Sequence, residues 1–316
     1  MAATLILHHY DLSPFSQKIR SQLGYYSLDW QSVRHAPMPP RSTLAQLANG
    51  YRRLPVAQLG ADIFCDTQLI ANEVIRLARG DEAARNSDVN EDHTFIAYLD
   101  GECFFQSLVA TAPIPLIKTL LHHYSMGDVL RLLGDRARLL RRGAVMPPVP
   151  GIAARGLRKH LLDLDRRLGA QPYLAGDSPG VADFAAYHSL WFYCRMSART
   201  LPTECAAVRR WYDSIVAFGE GGRSEISASE ALAVAQTSEP RPLPQSQISD
   251  HRLGQWVSIT PEDYAREPVT GKLVACTHSR WIVRVDSFAL GVLHVHLPKR
   301  GYAIGLVDPE EMRTAV

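Results

Sequence analysis

The chain has 316 residues, of which 46% are hydrophobic and 21% charged, and a formal net charge of +2. That length allows two or three domains of roughly 150 residues, with the composition of an ordinary globular protein. The charge balance gives no global electrostatic argument for nucleic acid or a membrane surface as partner.

Leu5-Ile6-Leu7 predicts a buried strand over residues 4–8. It runs into Ser13-Pro14-Phe15-Ser16-Gln17-Lys18-Ile19-Arg20, where a capping serine with proline at the first helical position opens a helix. Phe15, Ile19, Leu23 and Tyr26 then form a single apolar stripe. The step from strand through Ser-Pro into helix is the entry to a thioredoxin-like βαβ unit, whose dithiol versions carry C-x-x-C where Ser13 and Ser16 stand. Without a thiol at either position, a dithiol redox cycle is excluded at this site. What remains is a hydroxyl at a helix N-terminus, where free N–H groups and the helix dipole favour an anion.

Residues 28–33 alternate weakly as a second strand, and a loop with Pro37, Pro39 and Pro40 follows. Residues 53–59, a Gly60-Ala61-Asp62 turn and Ile63-Phe64-Cys65 read as a hairpin. Pro55 heads its first strand, where a missing N–H loses no ladder bond. Asp66-Thr67 starts a helix over 68–77 with Leu69, Ile70, Val74 and Leu77 on its apolar face.

Residues 80–91 are polar and charged and read as a linker. Stripes at Phe95, Tyr98, Leu99 and Phe105, at Leu157, Leu161, Leu164 and Leu168, at Phe184, Tyr187, Trp191 and Cys194, and at Val208, Trp211, Ile215 and Phe218 predict an all-helical domain over 91–237. The proline-rich interval Met146 to Pro150 separates two of its helices. Within 128–143, Leu130, Leu133, Ala137 and Leu140 give an apolar face, and Arg131, Arg136, Arg138, Arg141 and Arg142 a solvated basic side. Residues 238–247, with three prolines, read as a second linker. The remainder, 247–316, carries five short β runs and predicts a small antiparallel barrel or sandwich. In it His294 and His296 share a strand face, a spacing seen in metal sites, but without an evident third ligand they read as half-exposed strand histidines and no metal is expected. The five cysteines are scattered without a C-x-x-C, which argues against a disulfide framework or a cysteine zinc site. With no apolar run near ~20 residues and no secretory n-region, the cytoplasm is the expected compartment.

Ser13 to Arg20, Arg53-Leu54-Pro55-Val56, Asp66-Thr67 and Gly176-Asp177-Ser178-Pro179-Gly180-Val181-Ala182-Asp183, in that order and spacing, resemble the cytosolic glutathione S-transferase family over roughly residues 4–235. The resemblance implies an α/β thioredoxin-like domain over 1–80 followed by the all-α domain, and it leaves the small β-rich domain outside the family plan. It implies glutathione as co-substrate, with Ser13 hydrogen-bonding the sulfur and favouring its thiolate. It makes Pro55 the family's cis-proline, leaving the Val56 backbone to pair with the cysteinyl unit as an added strand would. Asp66 and Thr67 then hold the γ-glutamyl end, and Arg53 meets the glycyl carboxylate, with Arg52 and Arg41 as alternatives. Phe15, Tyr98 and Phe105 are the candidates for the wall of the electrophile pocket. In the fourth motif Gly180 replaces the usual Ser or Thr cap while Asp183 keeps its place, a tolerable exchange.

A homodimer and a small-molecule electrophile or peroxide are further implications, with no nucleic-acid or membrane partner. Two functions stay open at this point. One is a transferase of detoxification type that attacks an electrophile with the glutathione thiolate. The other is a non-catalytic scaffold of the same fold that uses residues 247–316 for contacts.

Overall fold

In the computed structural model, residues 4–142 and 148–308 are described, the side chains of 140–142 apart. Met146 and Pro147 of the expected proline-rich interval, and the side chains of Leu140, Arg141 and Arg142, lie outside the described residues.

The chain opens with β1 (Leu5–His9), α1 (Pro14–Tyr25), β2 (Asp29–Arg34), a short α2 (Ser42–Leu47), β3 (Val56–Leu59), β4 (Asp62–Cys65) and α3 (Thr67–Arg79). β1 pairs parallel with β2 and antiparallel with β3, and β3 pairs antiparallel with β4. This is the thioredoxin-like order that the sequence predicts. α1 starts where it does because the Ser13 hydroxyl accepts the Ser16 N–H at 3.1 Å, and Pro14 has no N–H to satisfy. Asp66 caps α3 in the same way, accepting the Gln68 N–H at 3.1 Å.

The helical layer follows as α4 (Asp81–Asn90), α5 (His93–Tyr98), one π-helical turn (Leu99–Cys103), α6 (Phe104–Ala110), α7 (Pro113–His123), α8 (Met126–Arg142), α9 (Pro150–Ala170), α10 (Val181–Ser197) and α11 (Ala206–Ala217). Residues 81–90 are helical rather than a linker. Asp81 and Glu82 in the first turn suit the positive helix end, while no residue of α4 is buried. α10 is buried almost all round, and Asp183 in its first turn accepts the N–H groups of Leu174, Ala175 and Gly180 and the Trp211 indole N–H. A glycine cap therefore suffices, since Asp183 ties the whole corner. On α8 the inward face runs through Val129 and Leu132, with Leu130 and Leu133 exposed. The apolar face expected from Leu130, Leu133 and Ala137 is one position off, and Arg136 falls on the inner side.

After α11 the chain returns to the sheet. β5 (Gly222–Glu225) pairs parallel with β2, and α12 (Ala228–Gln236) packs Ala231 against Ile6 and Val33. The last strands are β6 (Trp256–Pro261), β7 (Val269–Cys276), β8 (Arg280–Ser287), β9 (Gly291–Pro298) and β10 (Tyr302–Leu306). They do not close into the separate barrel or sandwich expected. β9 lies parallel to β4, so all strands join one ten-stranded sheet in the order β10-β6-β7-β8-β9-β4-β3-β1-β2-β5. β4 would otherwise be a bare edge with unpaired N–H and C=O groups.

The junction is apolar on one face and polar on the other. Leu44, Leu47, Tyr51 and Ile63 share a core with Val257, Leu273, Val283 and Val295. The Asp62 carboxylate accepts from His296 Nε2 at 2.7 Å and from the Arg241 main-chain N–H at 2.8 Å. Glu73 of α3 pairs with Arg241 and Arg280. His296 is thus buried at a seam instead of half-exposed, while His294 next to it is only partly buried. Among the described residues, no single helix is long and apolar enough to cross a membrane.

Six histidines of the described residues are held neutral by burial, His8, His160 and His296 with pKa lowered to about 4 and His9, His35 and His188 to about 3. The unfolded chain protonates them near 6.5, so between pH 6.5 and 4 it binds more protons than the folded one. Stability is then full above pH 7 and falls as pH drops, each histidine contributing up to ~1.4 kcal/mol per pH unit. Urea midpoints measured from pH 4.5 to 8 are expected to show that slope; a flat profile would contradict it.

The two layers are also joined by a cation, since Lys18 Nζ of α1 meets both Asp100 oxygens of the π turn at 2.9 and 2.7 Å. Burial raises the Asp100 pKa and Lys18 opposes that rise. Lys18→Met leaves this carboxylate unpaired and is expected to cost roughly 3 kcal/mol at pH 7.5. The folded variant then holds a proton that the unfolded chain has lost, so the deficit shrinks as pH falls toward 4. Urea denaturation at pH 5 and 7.5 reads both the loss and its sign.

Candidate active site

A cavity of about 750 Å³ lies between the thioredoxin-like layer and α5 to α8, and its wall carries Ser13, Phe15, Arg53, Pro55, Asp66, Thr67 and Phe105. These residues come from four separated stretches, and the fold gathers them because α1 and α3 both begin at the same end of the sheet. Ser13 is 2% exposed. Its oxygen is used as an acceptor by the Ser16 N–H, and its own O–H has no acceptor among the described residues. In the first turn of α1, Gln17 N–H donates to the Ser13 carbonyl and Pro14 has no N–H, so Phe15 N–H is the amide left over. A hydroxyl and an amide at the positive end of a helix can stabilise one anion there. Ser16, the second hydroxyl of the pair, is fully buried and lies outside the wall.

The Leu54–Pro55 bond is cis, as the resemblance implies. Val56 itself is not in the wall. It stands in register with His8 on one side and Cys65 on the other, so β3 has no free edge at this point. An extended ligand can pair only with the Leu54–Pro55 end that reaches the cavity.

Tyr98 is the other expected residue that the structure places elsewhere. The π turn at Leu99–Cys103 adds a residue to the helix, and the wall takes Ala97, Gly101, Phe104 and Leu108. Tyr98 is turned to α9, its hydroxyl 3.5 Å from His160 Nδ1 and its ring stacked on Phe95. Phe104, whose place in an aromatic stripe reads as core rather than pocket, is in the wall and meets Phe15 edge to face with ring centroids 5.0 Å apart.

The polar groups expected to hold a peptide ligand are engaged by the C-terminal strands. Arg53 pairs with Asp263, donates to the Tyr264 carbonyl and lies over the Tyr264 ring at 4.3 Å. Asp66 accepts the Tyr302 hydroxyl at 2.9 Å through its second oxygen. Tyr302 also meets the Tyr51 hydroxyl at 2.7 Å, and burial raises both phenols well above their ordinary pKa. Thr67, largely buried, accepts from Lys18 Nζ at 3.4 Å. Asp263, Tyr264, Arg300 and Gly301 line the cavity directly, so residues beyond 247 supply part of its wall. Nothing in the sequence pairs them with Arg53, because the β6–β7 and β9–β10 connections that carry them lie over 200 residues away.

Lys18, Arg41 and Arg136 also face the cavity. Lys18 was legible as a residue one turn after Pro14, hence on the same helix face. Arg136, expected on the solvated basic side of 128–143, faces the cavity because it stands at i+4 from the buried Leu132. No cysteine is in the wall. Cys103, close behind it, is buried with its thiol pushed up to about 12, and Cys65 is raised further by burial. The chain therefore offers no thiolate of its own there, and a sulfur nucleophile must arrive with a ligand.

Residues 7–82 match the family model described as glutathione S-transferase, N-terminal domain, and residues 134–214 the model described as glutathione S-transferase, C-terminal domain. No curated protein sequence matches the chain. A crystal structure of a GST-like protein from Pseudomonas syringae is 26% identical, covers 97% of this chain and 100% of its own, and superposes with a TM-score of 0.75. A glutathione S-transferase from Sinorhizobium meliloti is 20% identical over 67% of this chain and 88% of its own, with a TM-score of 0.47. The coverage of the Pseudomonas syringae protein takes in the C-terminal strands as well. With both domain models matched in their order along one chain, and a relative of the same layout over nearly its whole length, the chain belongs to the glutathione S-transferase family.

Proposed function

We propose that the protein is a glutathione transferase in which Ser13 stabilises the thiolate of bound glutathione for attack on a second substrate in the cavity. The observation that carries this reading is the unspent Ser13 hydroxyl proton beside the leftover Phe15 N–H at the start of α1. Both donors serve an anionic sulfur better than a thiol, which lowers the thiol pKa. The step then needs no redox partner: the C–S bond forms as the leaving group departs with its bonding pair, and the thiol proton goes to solvent. Phe15, Phe104 and Phe105 supply apolar surface for the electrophile. Asp66 and Thr67 hold the γ-glutamyl end, and the Leu54–Pro55 end of β3 meets the cysteinyl unit.

One observation favours the alternative of a binding protein without turnover. Arg53 and Asp66 are already engaged by Asp263 and Tyr302, so an intact tripeptide has to share or displace those contacts. Retention on immobilised glutathione with no conjugation of any electrophile tested would support that reading.

Ser13→Ala removes one hydrogen bond to a charged sulfur, worth roughly 1.5–3 kcal/mol. The expected result is a ~10- to 100-fold fall in kcat/KM for 1-chloro-2,4-dinitrobenzene at pH 6.5. The pKa read from the pH–rate profile rises by about 1–2 units, so the deficit narrows at high pH. An unchanged profile would remove Ser13 from the mechanism.

A further inference from the structure

Among the described residues six Lys and Arg side chains line the cavity, namely Lys18, Arg41, Arg52, Arg53, Arg136 and Arg300. Four of them have carboxylate partners that are shared with neither Arg41 nor Arg136, save for the Asp135 of Arg52. Lys18 is on Asp100, Arg53 on Asp263, Arg300 on Asp88, and Arg52 on both Asp135 and Glu267.

Arg41 and Arg136 are held differently. Arg41 Nε and Nη1 donate to the carbonyls of Ala36 and Arg52, each at 2.7 Å, and its Nη2 has no partner among the described residues. Arg136 Nη2 donates to the Pro37 carbonyl at 2.9 Å, and its Nη1 reaches Asp135 at 3.4 Å through the oxygen that Arg52 leaves free. Among the described residues, Arg41, Arg52 and Arg136 thus share Asp135 and Glu267, and that group of five carries one positive charge in excess, while Glu262 lines the cavity elsewhere. Burial, with Arg136 and Arg52 close by, lowers Arg41 to about 10. Main-chain carbonyls orient a guanidinium without neutralising it, so an entering anion finds the fork already set.

The surroundings of the pair are apolar. Arg136 lies one turn along α8 from Leu132, with Tyr10 beside it. Tyr10 packs on a cluster of Leu12, Leu120, Leu132, Phe192 and Met196, most of which faces the cavity. A positive fork beside such a wall suits a molecule that is apolar at one end and anionic at the other.

We propose that the second substrate of this cavity is an apolar acid, with its carboxylate between Arg41 and Arg136 and its body on the Leu12–Leu120–Phe192 wall. The proposal rests on the reading of the cavity as the place where glutathione meets a second substrate. Its test is therefore made by binding, without turnover.

Biphenyl-4-carboxylate and its methyl ester are titrated into the full chain by calorimetry. The acid is expected to bind at least tenfold tighter than the ester, and the margin to shrink as KCl is raised. Arg41→Gln and Arg136→Gln each weaken the acid about tenfold and leave the ester unchanged; the double variant shows no preference. Saturating glutathione leaves the acid's affinity in place. Ester binding doubles as the folding control, and where a Gln variant loses it, Arg→Lys variants and the salt titration of the natural chain decide instead. Equal binding of acid and ester, no binding of either, a preference that survives the double variant, or displacement of the acid by glutathione would each overturn the proposal. Absence of conjugation of 1-chloro-2,4-dinitrobenzene in a separate assay, alongside an intact acid preference, would overturn the transferase reading and leave the anion site standing.

Discussion

The carboxylate of Asp62 is the point on which the arrangement of this molecule turns. It is 1% exposed, a position in which an unpaired charge would cost several kcal/mol. Burial pushes its pKa up, but the His296 hydrogen bond and Arg241 outweigh that and hold it below the ordinary value. Both partners come from beyond the helical layer: Arg241 from the segment leading into the last strands, His296 from β9. With Asp62 on the edge strand of the thioredoxin-like unit, satisfying it fixes β9 against β4. Once β9 is in place, β8, β7, β6 and β10 follow by antiparallel pairing.

That seam decides the chemistry of the cavity at a distance. Placing β9 and β10 on the sheet edge brings Tyr302 to Asp66 and, through the β6–β7 connection, Asp263 and Tyr264 to Arg53. In a two-domain chain these polar side chains would face solvent until a ligand came. Here they are satisfied before any ligand arrives, which removes the desolvation penalty of a closed site and raises the requirement on a ligand that has to compete. The charge proposed for an incoming anion is then in the Arg41–Arg136 region, where main-chain carbonyls hold Arg41 and share Arg136 with Asp135.

How much of this was legible in the sequence follows from how local each signal was. The start of α1 at Ser13-Pro14, the cap at Asp66 and the hairpin 56–65 were readable because their determinants lie within a few residues. The helix stripes of α9 and α11 were readable because an apolar period of 3.6 needs no knowledge of the partner. The joining of β9 to β4 was not, since a parallel pair between strands over 200 residues apart leaves no local trace, and alternating β runs look alike in a separate sandwich and in an extended sheet. Tyr98 was misplaced because the stripe of Phe95, Tyr98 and Leu99 marks an apolar face without saying whether it meets the first domain or α9, and Tyr98 meets His160 of α9. Residues 81–90 lacked an apolar stripe, so a solvated helix read as a linker.

The site residues divide along the same line. Ser13, Pro55, Asp66 and Thr67 reach the cavity because they cap or head elements whose ends converge in any thioredoxin-like unit. Arg53 reaches it as well, yet its partner is an internal aspartate, which no short-range pattern encodes. The absence of a thiol at Ser13 and Ser16 was a negative signal in the sequence, and the structure gives it a positive content. Cys65 and Cys103 each adjoin a wall residue in sequence, and burial raises both, which keeps them as thiols near neutral pH. A helix end with an unspent hydroxyl and an unspent amide, facing a cavity without a protein thiolate, has donors and no charge to receive them. The leftover cation at Arg41 and Arg136 is in the same condition on the opposite side of the chemistry. Both imbalances are of one sign, and together they support the two proposals, in which each ligand brings a negative charge.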